Sequence, residues 1–457
     1  MNVKRLVMMA AAVAAMECWR FTSVALAQPA PSAPPASAPV PARPSTAPAA
    51  SPFTLARAIQ MALRRDERPR IAERQLASFE AQVDRARAFF FPDVALSGQY
   101  NFRGDPGMFQ ERHVLTGSVT ASLVLFDGRG IPLYRAASLA RSAAALDRDE
   151  SVRQVAFEAA GAYLTTLGLQ AVVEAAQHRV AFARATLADA RGRVSAQLAS
   201  SNDVTRADVE LGTAVRELRR AQGDLDSGML NLGWLIGAEL RAPLASPDDL
   251  LAEAARPGAR RLAVSEAQAR RLDVRSGRIR VEAARQRALE PLWRWTPALG
   301  LIGQGSTSSV EDQTGRQTDW FLGVTAAWTL WDGGERGADR DDLVAQAEAA
   351  ALQSDRQTRQ VALEVQTATS ALSSARETAT VAESAVIAAR KNVEETRTLY
   401  RQGLARALEV ADATASLFDA EVALARERYG LGLALLDLRA ALGVDPLERG
   451  ERGAEAQ

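Results

Sequence analysis

The chain has 457 residues with Lys+Arg and Asp+Glu balanced at 55 each, so neither a basic nucleic-acid surface nor an acidic tail is indicated. Hydrophobic residues make up 47%, yet past the N-terminus no run approaches the roughly 20 apolar residues of a spanning helix. If this chain enters a membrane, it must do so as strands.

In chain order, residues 1–27 read as an export signal: Lys4 and Arg5, an apolar run from Leu6 to Ala15, then Ala25-Leu26-Ala27 as a cleavage site. The single cysteine, Cys18, lies inside this segment, and Ala15-Met16-Glu17 before it lacks the small residue that lipidation requires. Residues 28–52 are rich in Pro and Ala and read as an extended lead-in. A first repeat is expected over 53–241, a linker over 242–260, a second repeat over 261–446 and a loose tail over 447–457.

Phe53 to about Ala88 has a helical pattern that Pro92 ends. From Val94 the period becomes two, with Val94, Leu96, Gly98, Tyr100 and Phe102 on one face and Ala95, Ser97, Gln99, Asn101 and Arg103 on the other. A polar loop to about His113 follows, and a second strand sets Val119, Ala121, Leu123 and Leu125 against Ser118, Thr120 and Ser122. Apolar against polar is the sorting needed between lipid and a wet lumen; a soluble sheet with one wet face would also alternate. The hairpin from Pro92 to Phe126 recurs from Pro297 to Trp331, with Val324, Ala326, Trp328 and Leu330 opposing Thr325, Ala327 and Thr329.

Each hairpin ends in Asp-Gly, at Asp127-Gly128 and at Asp332-Gly333-Gly334, and the two aspartates are expected to cap the turns into long helices. The first helix, about Tyr134 to Gln197, has a heptad seam of Val152, Ala159, Thr166, Val173, Val180, Leu187 and Val194, accompanied three residues on by small residues such as Ala176, Ala183 and Ala190. A strict seven-residue repeat implies left-handed supercoiling against neighbouring helices. Leu198 to Asp203 breaks it and supplies N-cap residues for a helix ending near Gly237. The second half repeats the plan from about Leu262, with a seam of Val365, Leu372, Ala379, Val386, Val393 and Tyr400. A turn at Gly403-Leu404-Ala405-Arg406 then leads into a last helix that ends before Pro446.

Both hairpins start and finish on the helical side, so the helices hang from one membrane face. Four strands per chain cannot close a barrel, and an open edge in lipid costs several kcal/mol per unpaired backbone group. Two chains would supply eight strands and three would supply twelve, so self-association is required in either case. Helices continuing the same ring would form a tube that opens into the barrel, which is a conduit.

The doubled plan, the Leu-Phe-Asp-Gly and Leu-Trp-Asp-Gly-Gly strand ends, and Tyr400-Arg-Gln-Gly403-Leu404 followed by Leu408-Glu-Val-Ala-Asp-Ala resemble the TolC family of outer-membrane efflux proteins, over nearly all of Phe53 to Pro446. The resemblance implies a homotrimer with a twelve-stranded barrel in outer-membrane lipid and a long periplasmic α-helical barrel. It also implies docking to a periplasmic adaptor (membrane fusion) protein and an inner-membrane pump of RND, ABC or MFS type. At the far periplasmic end, Val194, Leu198, Ala199 and Ser200, and Tyr400, Gly403, Leu404 and Ala405, match the family's adaptor-contacting tips, with Gln197 where glycine is usual. Glu394, with Glu395 beside it, falls where the family can place an acidic ring at a closed entrance; threefold symmetry would crowd these carboxylates and favour cations.

No catalytic or cofactor site is expected. His113 is placed in the outer loop and His178 on a helix face away from the seam, too far apart for a metal cluster. Neither Gly128-Arg-Gly130 nor Gly333-Gly334 is followed by the lysine and hydroxyl of a phosphate loop. Two other readings compete with a passive exit duct: a periplasmic coiled-coil scaffold without a pore, which the strand alternation opposes, and a diffusion porin, which leaves the long helices unexplained.

Overall fold

The computed structural model describes residues 52–104, 111–240, 243–256, 264–311 and 315–447. The expected signal, nearly all of the lead-in and the tail after Leu447 lie outside the described residues.

The N-terminal helical region divides at Asp66 into α1 (Leu55–Arg65) and α2 (Glu67–Ala88), where a single helix was expected. Asp66 is extended, with ψ 137°, and its carboxylate accepts the Arg68 N–H at 2.8 Å. An N-cap aspartate before Pro69 in the first turn is the readable cause. Leu55, Ala58, Ile59 and Ala62 form the buried face of α1.

Four strands follow in two hairpins: β1 (Asp93–Phe102) and β2 (His113–Phe126), then β3 (Ala298–Ser308) and β4 (Thr318–Ala327). They form one antiparallel sheet in the order β1-β2-β3-β4, so the two hairpins join through β2 and β3. Two details differ from the sequence expectation. His113 opens β2 and pairs with Phe102 instead of lying in the loop. β4 stops at Ala327, so Trp328 and Leu330 lie beyond it; the Trp328 indole N–H donates to the Trp295 carbonyl at 3.0 Å.

The long helices are α3 (Gly130–Ser195, 66 residues) and α9 (Glu335–Arg401, 67 residues), each on the order of 100 Å at 1.5 Å per residue. Each is followed by a 36-residue helix, α4 (Ser201–Ile236) and α10 (Ala407–Leu442). Between α4 and β3 lie α5 (Asp248–Ala255), α6 (Val264–Arg270), α7 (Leu272–Arg287) and α8 (Glu290–Trp293). The stretch expected only as a linker thus contains a helix of its own, with Leu250, Leu251 and Ala254 buried.

The heptad seams are where burial occurs. Ala159, Thr166, Val173, Val180 and Leu187 of α3 are buried, as are Val365, Leu372, Ala379, Val386, Val393 and Tyr400 of α9. Ala176 packs against Ala221, and Ala190 against Ala207, of α4; Val386 and Val393 pack against Ala413 and Leu417 of α10. Alanine at these positions lets backbones approach closely. The main core gathers α1, the middle of α3, α5 and the end of α10 around Tyr163. Its hydroxyl faces the carbonyls of Phe53 at 2.6 Å and Ala245 at 2.7 Å, pinning the Phe53–Leu244 bridge.

Candidate functional site: the sheet faces and the helix tips

The pairing register assigns the sheet two chemically distinct faces. Directly opposed residues of an antiparallel ladder share a face. One face carries Val94 with Ala121, Leu96 with Val119, and Tyr100 with Leu115. It continues with Leu301 beside Val324 and glycines 303 and 305 beneath Leu322 and Trp320. The other face is rich in hydroxyls and amides, with Val114, Ile302 and Phe321 as apolar interruptions: Ser97, Ser118, Ser306 and Asp319 form one rung across all four strands, and Gln99, Thr116 and Ser308 the next. Ser97 and Ser118 hydroxyls are 2.7 Å apart. The apolar row is solvent-exposed in the single chain; Leu96, for example, is 80% exposed and Trp320 76%.

Strand ends pass into helices through the two aspartates. Asp127 accepts the Arg129 N–H at 3.0 Å and pairs with its guanidinium at 2.5 Å. Burial pushes the Asp127 carboxyl up, but the Arg129 bonds outweigh it and hold it below the usual range. Gly128 packs so close to Trp293 that a Cβ would meet its ring at 2.2 Å. Asp332 accepts the N–H of Gly334 at 3.1 Å and of Arg336 at 3.1 Å, while Gly333 and Gly334 take φ values of 71° and 96° that favour glycine.

At the opposite end of the long helices, the two turns close with the same pair of backbone bonds. In the first, the Gln197 N–H donates to Val194 O at 2.9 Å and the Leu198 N–H to Arg193 O at 2.8 Å. In the second, Gly403 donates to Tyr400 O at 3.0 Å and Leu404 to Leu399 O at 2.9 Å. Both are Schellman closures, which require a left-handed residue after the helix. Gly403 supplies it at φ 80°, and Gln197 at φ 62°, the one non-glycine among the described residues with positive φ. The side chain at 197 therefore does not alter the turn. Ser200 caps α4 by accepting the Asn202 N–H at 3.2 Å. Leu198 and Leu404 are 70% and 73% exposed respectively, Ala199 and Ala405 half-buried.

Arg193, which the sequence reading did not single out, joins the two tips: it donates to the Tyr400 carbonyl and lies 4.7 Å from the Tyr400 ring centroid. Burial pushes the Tyr400 hydroxyl up, partly countered by this guanidinium. Glu394 and Glu395 are exposed, one to two turns before Tyr400. Glu395 lies 3.7 Å from Lys391, which with Lys4 makes up all the lysine in the sequence. Glu394 has no ion pair among the described residues.

Higher on α3, buried Arg179 pairs with Glu210 at 2.9 Å and Glu217 at 2.5 Å on α4 and lies over Phe418 of α10 at 5.1 Å. The two glutamates are one heptad apart, the signal that could have exposed this three-helix node. His178, next to it, is exposed and 3.9 Å from Glu421; His113 bonds the Tyr100 hydroxyl at 2.7 Å. Among the described residues no group of acidic, His or Cys side chains could hold a metal ion, and no helix is long and apolar enough to cross a membrane.

Residues 58–238 and 263–444 match the family described as Outer membrane efflux protein. The chain belongs to that family. It is 24% identical over 386 residues to the Outer membrane protein TolC of Vibrio cholerae serotype O1, spanning 82% of this chain and 86% of that one. Two solved structures share the fold. The outer membrane protein VceC from Vibrio cholerae has a TM-score of 0.73 at 19% identity, covering 86% of this chain and 96% of its own. The Campylobacter jejuni CmeC outer membrane channel has a TM-score of 0.73 at 15% identity, covering 92% and 96%. As an outer membrane efflux protein, the chain resides in the outer membrane, with its helices forming a periplasmic extension.

Proposed function

We propose that three copies of this chain close a twelve-stranded barrel and continue it as a helical tube, forming the passive exit duct of a tripartite efflux or type I secretion system. The observation that carries this reading is the sheet itself. It has one apolar and one hydroxyl-rich face, and its edge strands β1 and β4 each pair on one side only. In lipid such edges must be closed by further copies; the resemblance to the TolC family favours three of them, which give twelve strands. The long seamed helices explain what a porin would not need.

In this reading the tips, Val194, Leu198, Ala199 and Ser200 with Gly403, Leu404 and Ala405 over the buried Tyr400, contact a periplasmic adaptor. An inner-membrane pump of RND, ABC or MFS type supplies the energy. A groove of about 310 Å³ beside the tips, floored by Ala183, Ala207, Ala411 and Ala415, adds a surface for a partner helix. Glu394 and Glu395 ring the closed entrance, and splaying of the tips relieves it. Because Lys391 lies against Glu395, Glu394 is the uncompensated carboxylate of the ring.

Single-channel recording of the isolated assembly in planar bilayers tests this. Wild-type protein conducts weakly and prefers cations; Glu394→Ala with Glu395→Ala raises conductance and lowers the preference, and Glu394→Ala alone does more than Glu395→Ala. Unchanged conductance and selectivity would remove both residues from the entrance, and a wild-type protein that never conducts would remove the duct.

A further inference from the structure

Arg103 and Arg112 stand at the end of the first hairpin farthest from the helices. The Arg103 N–H donates to the Arg112 carbonyl at 3.0 Å, carrying the β1–β2 ladder one rung beyond Phe102 and His113. Alternation places both arginines on the face of Asn101, Gln99 and Ser97, the hydroxyl-rich one, and away from the row of Phe102, Tyr100 and Leu96. Both are exposed, and neither guanidinium has a partner among the described residues. Glu111, the neighbouring acid, falls on the opposite face.

Like charges directly opposed on a ladder destabilise it, and nothing among the described residues of this rung offsets the repulsion. Among the described residues the acid nearest on the same face, Asp319, sits on the rung of Ser97, and Glu311, two residues past the Ser309 that bonds Leu115, falls by alternation on the opposite face. Asp319 is thus six residues, or about 20 Å, down the strand, about twice the distance over which physiological salt screens charge. Two guanidinium forks side by side fit a multivalent oxyanion, which both can bind bidentately.

We propose that Arg103 and Arg112 form an anion clamp at the outer mouth of the lumen, collecting phosphate- or carboxylate-bearing solutes as they leave. The inference rests on the barrel reading, since only there does this face line water; three copies would set six guanidiniums around the mouth. The site would favour release of anionic cargo toward the outside and let external oxyanions obstruct the open mouth.

The test is single-channel recording of the full assembly in bilayers of zwitterionic lipid, with inorganic pyrophosphate added to the side of the barrel mouth. Wild-type current is reduced by pyrophosphate from that side and much less from the other. Arg103→Gln with Arg112→Gln, checked for intact assembly by native gel, requires about tenfold more pyrophosphate for the same reduction. Arg103→Lys with Arg112→Lys, which keeps charge but loses the fork, falls between. Equal sensitivity in the glutamine variant, with ordinary unitary conductance, overturns the clamp and leaves the barrel standing; absence of conductance in wild type overturns both. A second arm adds lipopolysaccharide to the outer leaflet. Retained pyrophosphate sensitivity there supports a solute ligand, and its loss assigns the arginines to lipid phosphates and overturns the proposal.

Discussion

Replacing Gln197 by glycine stabilises the first helix tip. The left-handed conformation of Gln197, φ 62°, costs a non-glycine residue roughly 1–2 kcal/mol. Fixing glycine costs more backbone entropy, about 0.5–1 kcal/mol relative to alanine, so a net gain of about 0.5–1 kcal/mol remains. The closing bonds use only backbone atoms, Gln197 N–H to Val194 O and Leu198 N–H to Arg193 O at 2.9 and 2.8 Å, so the substitution retains both. A gain of that size is a factor of about two to five in the local opening equilibrium. Hydrogen exchange read by mass spectrometry on peptides covering 193–200 reports it directly, as slower exchange confined to that turn. Gly403→Gln is the converse: at φ 80°, with a Cβ that would sit 3.4 Å from Arg193 Nη2, it speeds exchange in the second turn. Exchange at 193–200 that is unchanged or faster in Gln197→Gly would refute the strain argument.

Three further outcomes follow from the geometry. Arg193→Ala removes a charge-assisted bond and a ring contact between the tips, together about 2 kcal/mol; exchange rises in both turns, and channel openings become more frequent. Tyr163→Phe leaves the Ala245 carbonyl without the Tyr163 hydroxyl, while the Phe53 carbonyl keeps the Ala245 N–H at 2.9 Å, lowering stability by about 1–2 kcal/mol, measured by denaturation of the assembly. Asp66 is held below its usual range chiefly by the Arg68 side chain, against a smaller opposing effect of burial. Because its folded pKa is depressed, its contribution is present above about pH 4 and is lost as pH falls through the folded value. Asp66→Asn keeps the cap but should flatten the acid limb of the stability profile below pH 4, which thermal denaturation across pH reveals.

The strands and seams were legible because both rest on strong periodicities. Leu96, Tyr100 and Val119 against Ser97, Gln99 and Ser118 read at once as two faces, and of the alanines at the second seam position Ala176, Ala183, Ala190, Ala368 and Ala382 lie buried, while Ala162, Ala375 and Ala389 are half-buried. Breaks were harder to read. The division at Asp66 hides inside a continuous helical composition and is set by one carboxylate closing on Arg68. The end of β4 at Ala327 is equally hidden, because Trp328 and Leu330 continue the alternation after the ladder has stopped. Contacts made by arginine were the least visible. Arg179 and Arg193 act across helices, with Glu210, Glu217 and Tyr400 far away in sequence; the heptad spacing of Glu210 and Glu217 marks a shared helix face but does not name the arginine that meets it. The shape of the first tip lay outside composition too, because Gln197 adopts a backbone that its residue type disfavours.

The central claim, that this outer membrane efflux protein becomes a conduit only by closing with copies of itself, is tested most directly by native mass measurement after mild-detergent extraction of density-separated outer membranes. A detergent-dependent species of three chains is the predicted result. A monomer, or a species that stays soluble without detergent, would contradict it, because the apolar row from Val94 to Phe102 and the open edges of β1 and β4 would then have nothing to close against.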